Sequence, residues 1–84
     1  MANIDELSSA IGANKESIEQ ANASVAASMS SADELSGQFQ SLGSEDKVGE
    51  IEQIKQGLEQ LQQTLTGLVS TVESIHAQAE ALRG

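Results

Sequence analysis

Ile51-Glu-Gln-Ile54-Lys-Gln-Gly-Leu58-Glu-Gln-Leu61-Gln-Gln-Thr-Leu65-Thr-Gly-Leu68-Val-Ser-Thr-Val72-Glu-Ser-Ile75 is the stretch that decides the fold. Its bulky apolar residues recur at alternating steps of three and four, and Ala79 and Leu82 continue the series. A mean spacing of 3.5 residues keeps the stripe on one side of a long helix, and such a stripe must be hidden against a partner helix. With a as the first apolar position of each seven-residue repeat and d three later, a holds Ile51, Leu58, Leu65, Val72 and Ala79. Position d holds Ile54, Leu61, Leu68, Ile75 and Leu82.

The first half carries its own repeat. Ile4, Ile11, Ile18, Val25, Ala32 and Phe39 fall seven apart at a, and Leu7, Asn14, Ala21, Ser28, Leu35 and Leu42 follow at d. The ends of this seam are bulky and its middle is small or polar. Asn3 suits the cap of this helix, with Glu6 placed to reach back to it. The two repeats are five residues out of phase, so the helix is interrupted between them. Gly43 suits the left-handed position past a helix end, Ser44 the cap of the next helix, and Glu45 and Asp46 its first turn.

These signals predict an all-α fold: one antiparallel helical hairpin over residues 1–84, with helix 1 at about 4–42, a turn at about 43–46 that could extend to Gly49, and helix 2 at about 47–82. The alternative is a single bent helix. Folding back at the turn pairs residues whose numbers add to roughly 88. Ala21, Ser28 and Ala32 would then accept Leu68, Leu61 and Leu58, small against large. Phe39, Leu42 and Val48 would fix the tip. Met29 and Val69, at e beside the seams, could widen a second face. Helical glycines at 12, 37, 49, 57 and 67 lie off a and d, as tolerated weakness or as points of close approach.

One hairpin leaves half of each seam side chain wet, so association is expected, most simply two hairpins forming a four-helix bundle or coiled-coil dimer. The residues expected to carry the contacts are Ile11, Ile18, Val25, Leu35, Phe39 and Leu42 from helix 1. From helix 2 they are Ile51, Ile54, Leu58, Leu61, Leu65, Leu68, Val72 and Ile75. On this reading, aspartate at Leu61 or Leu65 abolishes helix and assembly together.

Composition narrows the function. The chain has 84 residues, no cysteine, no proline, one aromatic residue and a formal charge of −9. Nucleic acid and anionic membrane are disfavoured as partners, and no run is apolar enough for a membrane span. The opening Met-Ala-Asn-Ile-Asp-Glu has neither a basic nor an apolar leader region. A cytoplasmic protein is expected, or one exported without a cleaved signal. His76 is the only histidine, with Glu73 and Glu80 on its face. An exposed ion pair is the plain reading, and a bundle metal site would need further glutamates from the facing helices. The carboxylate pairs lack calcium-loop spacing, and no phosphate loop or nucleophile set is present. No catalytic, cofactor-binding or metal-binding residue and no enzymatic activity are expected.

A short acidic chain with two equal helices and a mid-chain glycine turn resembles the small helical-hairpin proteins of type VII secretion, a family named for a Trp-x-Gly turn. The corresponding stretch here is Phe39-Gln40-Ser41-Leu42-Gly43, and the tyrosine-plus-acid pattern often found near the family's C-terminus has no counterpart. The resemblance implies a homodimer or a 1:1 heterodimer, one partner being the helical leader of a larger exported toxin. The expected function is a non-enzymatic protein-interaction module, a secretion-associated partner or adaptor that pairs with another helical hairpin. The alternative is a structural coiled-coil subunit of a phage or surface particle. An acidic decoy for a basic protein surface is a third class.

Overall fold

The computed structural model describes residues 3–83; Met1 and Ala2, where the leader reading begins, and Gly84 lie outside the described part. Two helices, α1 (Ile4–Ser41) and α2 (Glu45–Ala81), pack along their full length as an antiparallel hairpin. The rod measures 63 × 17 × 15 Å. One unbroken helix of this chain would be about 120 Å long at 1.5 Å per residue, so the bent-helix alternative is excluded.

Both helix starts are set locally. The Asn3 side chain accepts a hydrogen bond from the Glu6 amide at 2.9 Å and satisfies one of the free donors of the first turn. Asp5 and Glu6 add negative charge where the helix dipole favours it. The chain reverses at Gly43, whose φ of 75° lies in the left-handed region that glycine enters without strain. The Ser44 amide then reaches the Phe39 carbonyl at 2.9 Å and the Gly43 amide reaches the Gln40 carbonyl at 3.1 Å, the paired bonds of a Schellman stop. α2 begins at Glu45, two residues earlier than expected, and Gly49 lies inside it. Ser44 stands at the helix start, but its side chain makes no capping bond. Its carbonyl takes up the amides of Lys47 and Val48.

The seam between the helices differs from the expected one. On both helices the a line is inside, with Ile11, Val25, Ile51 and Ala79 between 5% and 9% exposed. The line beside it, however, is e and not d. In α1 the second inner line is Ser8, Lys15, Asn22, Met29 and Ser36; in α2 it is Val48, Lys55, Gln62, Val69 and His76. Met29 and Val69 therefore sit in the seam itself. The d residues expected there are outside. Leu7, Leu35, Ile54, Leu61, Leu68, Ile75 and Leu82 are all exposed, as are Ala21 and Ser28. The small-against-large pairing of Ala21 with Leu68 and Ser28 with Leu61 is thus not made within the hairpin. At the tip, Phe39 and Val48 are half-buried on the seam, while Leu42 is 75% exposed and fixes nothing.

A ladder of polar contacts along one edge of the rod accompanies this choice of inner line. At four levels an e residue of one helix reaches a b residue of the other: Ser8 with Glu80, Lys15 with Glu73, Lys55 with Asp33, and Arg83 with Asp5. The numbers in each pair add to 88, the register that the turn dictates. Exposed pairs of this kind contribute roughly 0–1 kcal/mol each. The four rungs share one edge and mark which of two neighbouring lines turns inward, but their summed contribution is smaller than that of burying a line of leucines. Rotating either helix toward d would bring leucines inside and break every rung.

Candidate functional site

The hairpin has two unlike broad faces. An antiparallel pair is related by a two-fold axis normal to the plane of its helices, so equivalent lines of α1 and α2 emerge on the same face. The e and b lines of both helices form one face, and the d and g lines form the other. The grooves beside the a line show this directly. One, of about 230 Å³, is lined by Gly12, Lys15, Glu73 and His76 over Ile11 and Val72. The other, of about 320 Å³, is lined by Leu7 from α1 and Ile75, Gln78 and Leu82 from α2 over Ile11 and Ala79.

Among the described residues, the charged face holds the one arrangement that resembles a reacting group. The Ser8 hydroxyl lies 2.8 Å from His76 Nε2 and donates to Glu80 Oε1. His76 Nε2 is itself 3.7 Å from the same carboxylate oxygen. Ser8, His76 and Glu80 are the residue types of a hydrolase triad in a different order. In a triad the serine proton goes to histidine, and the acid orients the far ring nitrogen. Here the serine hydroxyl donates to Glu80, and with that proton so placed the Ser8–His76 contact needs a proton on Nε2. The serine is not activated, and the cluster acts as a rung of the ladder. Glu73, expected beside His76, pairs instead with Lys15 at 3.9 Å. Among the described residues, no three His, Cys, Asp or Glu side chains converge to hold a metal ion.

The cluster gives the fold a pH dependence. The hydrogen bond from Ser8, followed by that from Arg83, holds the Glu80 carboxyl below the usual carboxylate range. A lowered folded value means that the contribution is fully present above the ordinary glutamate pKa and disappears as pH falls through the lowered value. Ser8→Ala should therefore flatten the loss of thermal midpoint between about pH 5 and pH 2 relative to the unchanged chain. Identical slopes in thermal melts of the two proteins would show that this bond contributes nothing.

The opposite face is almost free of charge. Of all the charged residues, only Lys47 on the d line and Glu50 on the g line lie there, both in the opening turns of α2. The g line is otherwise small or neutral: Ala10, Ser17, Ser24, Ser31 and Gln38 in α1, then Gly57, Thr64, Thr71 and Gln78 in α2. Between these lines runs the exposed d series. It is continuous and bulky on α2 and, in the middle of α1, reduced to Asn14, Ala21 and Ser28. A beta carbon added at Gly57 would meet no atom of the hairpin, so that position is open on this face.

The fourteen residues expected at interfaces divide between two surfaces. Ile11, Ile18, Val25, Phe39, Ile51, Leu58, Leu65 and Val72 are gathered into the intramolecular seam. Leu35, Leu42, Ile54, Leu61, Leu68 and Ile75 are left facing out. Sequence reasoning singled out Met29 and Val69 on the e line but as a second face, and it overlooked the polar e residues, Ser8 above all. The signal was available in the segregation of charge: b is mostly acidic, e holds Lys15, Lys55 and Arg83, and d and g are almost free of charge. Comparison with family models, curated proteins and solved structures produced no match. Among the described residues, no helix is long and apolar enough to cross a membrane.

Proposed function

We propose that this chain is a non-enzymatic helical interaction module that pairs with another helical hairpin, acting as a secretion-associated partner or adaptor. One observation carries this reading. Eight leucine and isoleucine side chains of the d line, from Leu7 to Leu82, are uncovered along a rod in which, among the described residues, no large side chain is fully buried. Contiguous exposed apolar surface of that kind marks a protein interface. A bundle helix carries a wider apolar arc than a two-stranded coil needs, because it must face two neighbours. The plan shared with the Trp-x-Gly hairpins of type VII secretion supports placing the partner among helical hairpins.

Light scattering on the purified chain, alone and mixed with a helical hairpin encoded beside it, tests the reading. A compact small oligomer that exchanges into a 1:1 complex is expected. Long, higher-order assemblies of the isolated chain would favour the structural-subunit alternative. A single-chain mass at every concentration, with no complex, would refute the proposal.

A further inference from the structure

We propose that a second copy of this chain covers the d and g face, with both turns at the same end and α2 of each copy lying on α1 of the other. This rests on the reading that the chain works by pairing with a hairpin, and it assigns the face, the occupant and the orientation.

The area fits. The chain exposes 5841 Å², whereas a folded monomer of its mass exposes about 4,700 Å² by the usual size scaling. The excess, roughly 1,100 Å², comes in part from the 63 × 17 × 15 Å shape of the rod and exceeds the about 800 Å² that one subunit gives to a specific interface. Charge fits a copy as well. Two molecules of charge −9 repel unless their carboxylates point apart. Contact through d and g does that, because the acidic b lines lie on the far faces.

Shape decides the orientation. On the uncovered face, Leu61, Leu68 and Ile75 form a ridge on α2, and Asn14, Ala21 and Ser28 form a trough on α1. A two-fold axis parallel to the rod sets each ridge into the partner's trough at matching height. It restores between copies the large-against-small fit that the hairpin does not make internally. Turns at opposite ends would stack α2 on α2, ridge on ridge, and leave the α1 troughs facing each other across a void. In the same-end arrangement Lys47 and Glu50 meet the d and g lines of α1, which carry no charge.

The absence of cysteine makes cross-linking free of background. Ser24 and Thr64 are exposed g residues at one level on opposite shoulders of the hairpin, so they cannot bond within one molecule. The proposed dimer brings Ser24 of each copy beside Thr64 of the other. In a glutathione redox buffer, S24C combined with T64C should form a covalent dimer at a concentration where S24C alone does not. Sedimentation should give twice the chain mass, with helical circular dichroism unchanged. Ready cross-linking of S24C alone would place the turns at opposite ends and overturn the orientation. A dimeric mass without cross-links would overturn the face while leaving the hairpin-pairing reading intact. A single-chain mass that doubles only with a different hairpin would overturn the identical partner alone.

Discussion

A chain carrying Ile51→Asp is expected to lose most of its helical circular dichroism at room temperature. Ile51 is among the best-buried apolar residues of the hairpin, at 6% exposure, and sits on the a line one turn and a half past the start of α2. Truncating such a side chain costs roughly 2–5 kcal/mol. A carboxylate in its place adds a desolvation penalty. Folded domains have about 5–15 kcal/mol in reserve, and a rod with no fully buried large side chain lies toward the low end of that range. Leu65→Asp, also on the a line, should act in the same direction. Far-ultraviolet spectra at several temperatures would check both variants, and a native-like melt for Ile51→Asp would mean that the seam is not what holds the helices together.

Leu61→Gln combined with Leu68→Gln should have a different effect, separating the copies while helix content at low temperature is retained. Both leucines are more than two-fifths exposed in the hairpin, at 44% and 43%, so the intramolecular seam loses little. Glutamine has nearly the helix propensity of leucine. In the proposed dimer four leucines leave the interface. At about 1.5 kcal/mol each, the dissociation constant should rise by about four powers of ten. Sedimentation velocity at micromolar concentration would read this as a fall to the single-chain mass. An unchanged dimer would remove the d line from any role in assembly. The two variants also correct the expectation that Leu61 and Leu65 are equivalent. Leu65 lies in the seam and Leu61 outside it, so helix and assembly are affected separately.

Much of the architecture was legible because it is local. The three-and-four spacing, the Asn3 cap, the phase break and the glycine at the reversal each follow from neighbours within one or two turns. The misplaced element was the second inner line. Apolar periodicity favoured d, since Ile54, Leu61, Leu68 and Ile75 are bulkier than Lys55, Gln62 and His76. Those side chains are exposed in the hairpin, and which line turns inward was not deducible from one helix alone.

By itself the sequence determined two amphipathic helices of nearly equal length, the place where they reverse, and the near absence of charge from one pair of heptad lines. The tertiary structure alone decided which edge each helix turns to the other. Ser8, Lys15, Lys55 and Arg83 reach carboxylates on the opposite helix, up to 78 positions away for Arg83 and Asp5. In the folded hairpin these contacts lie along the inward-turned polar edge, and the leucines face out. Periodicity in a single helix reports the width of an apolar stripe; how that stripe is shared between an internal neighbour and an external one depends on contacts that form only once both helices are in place.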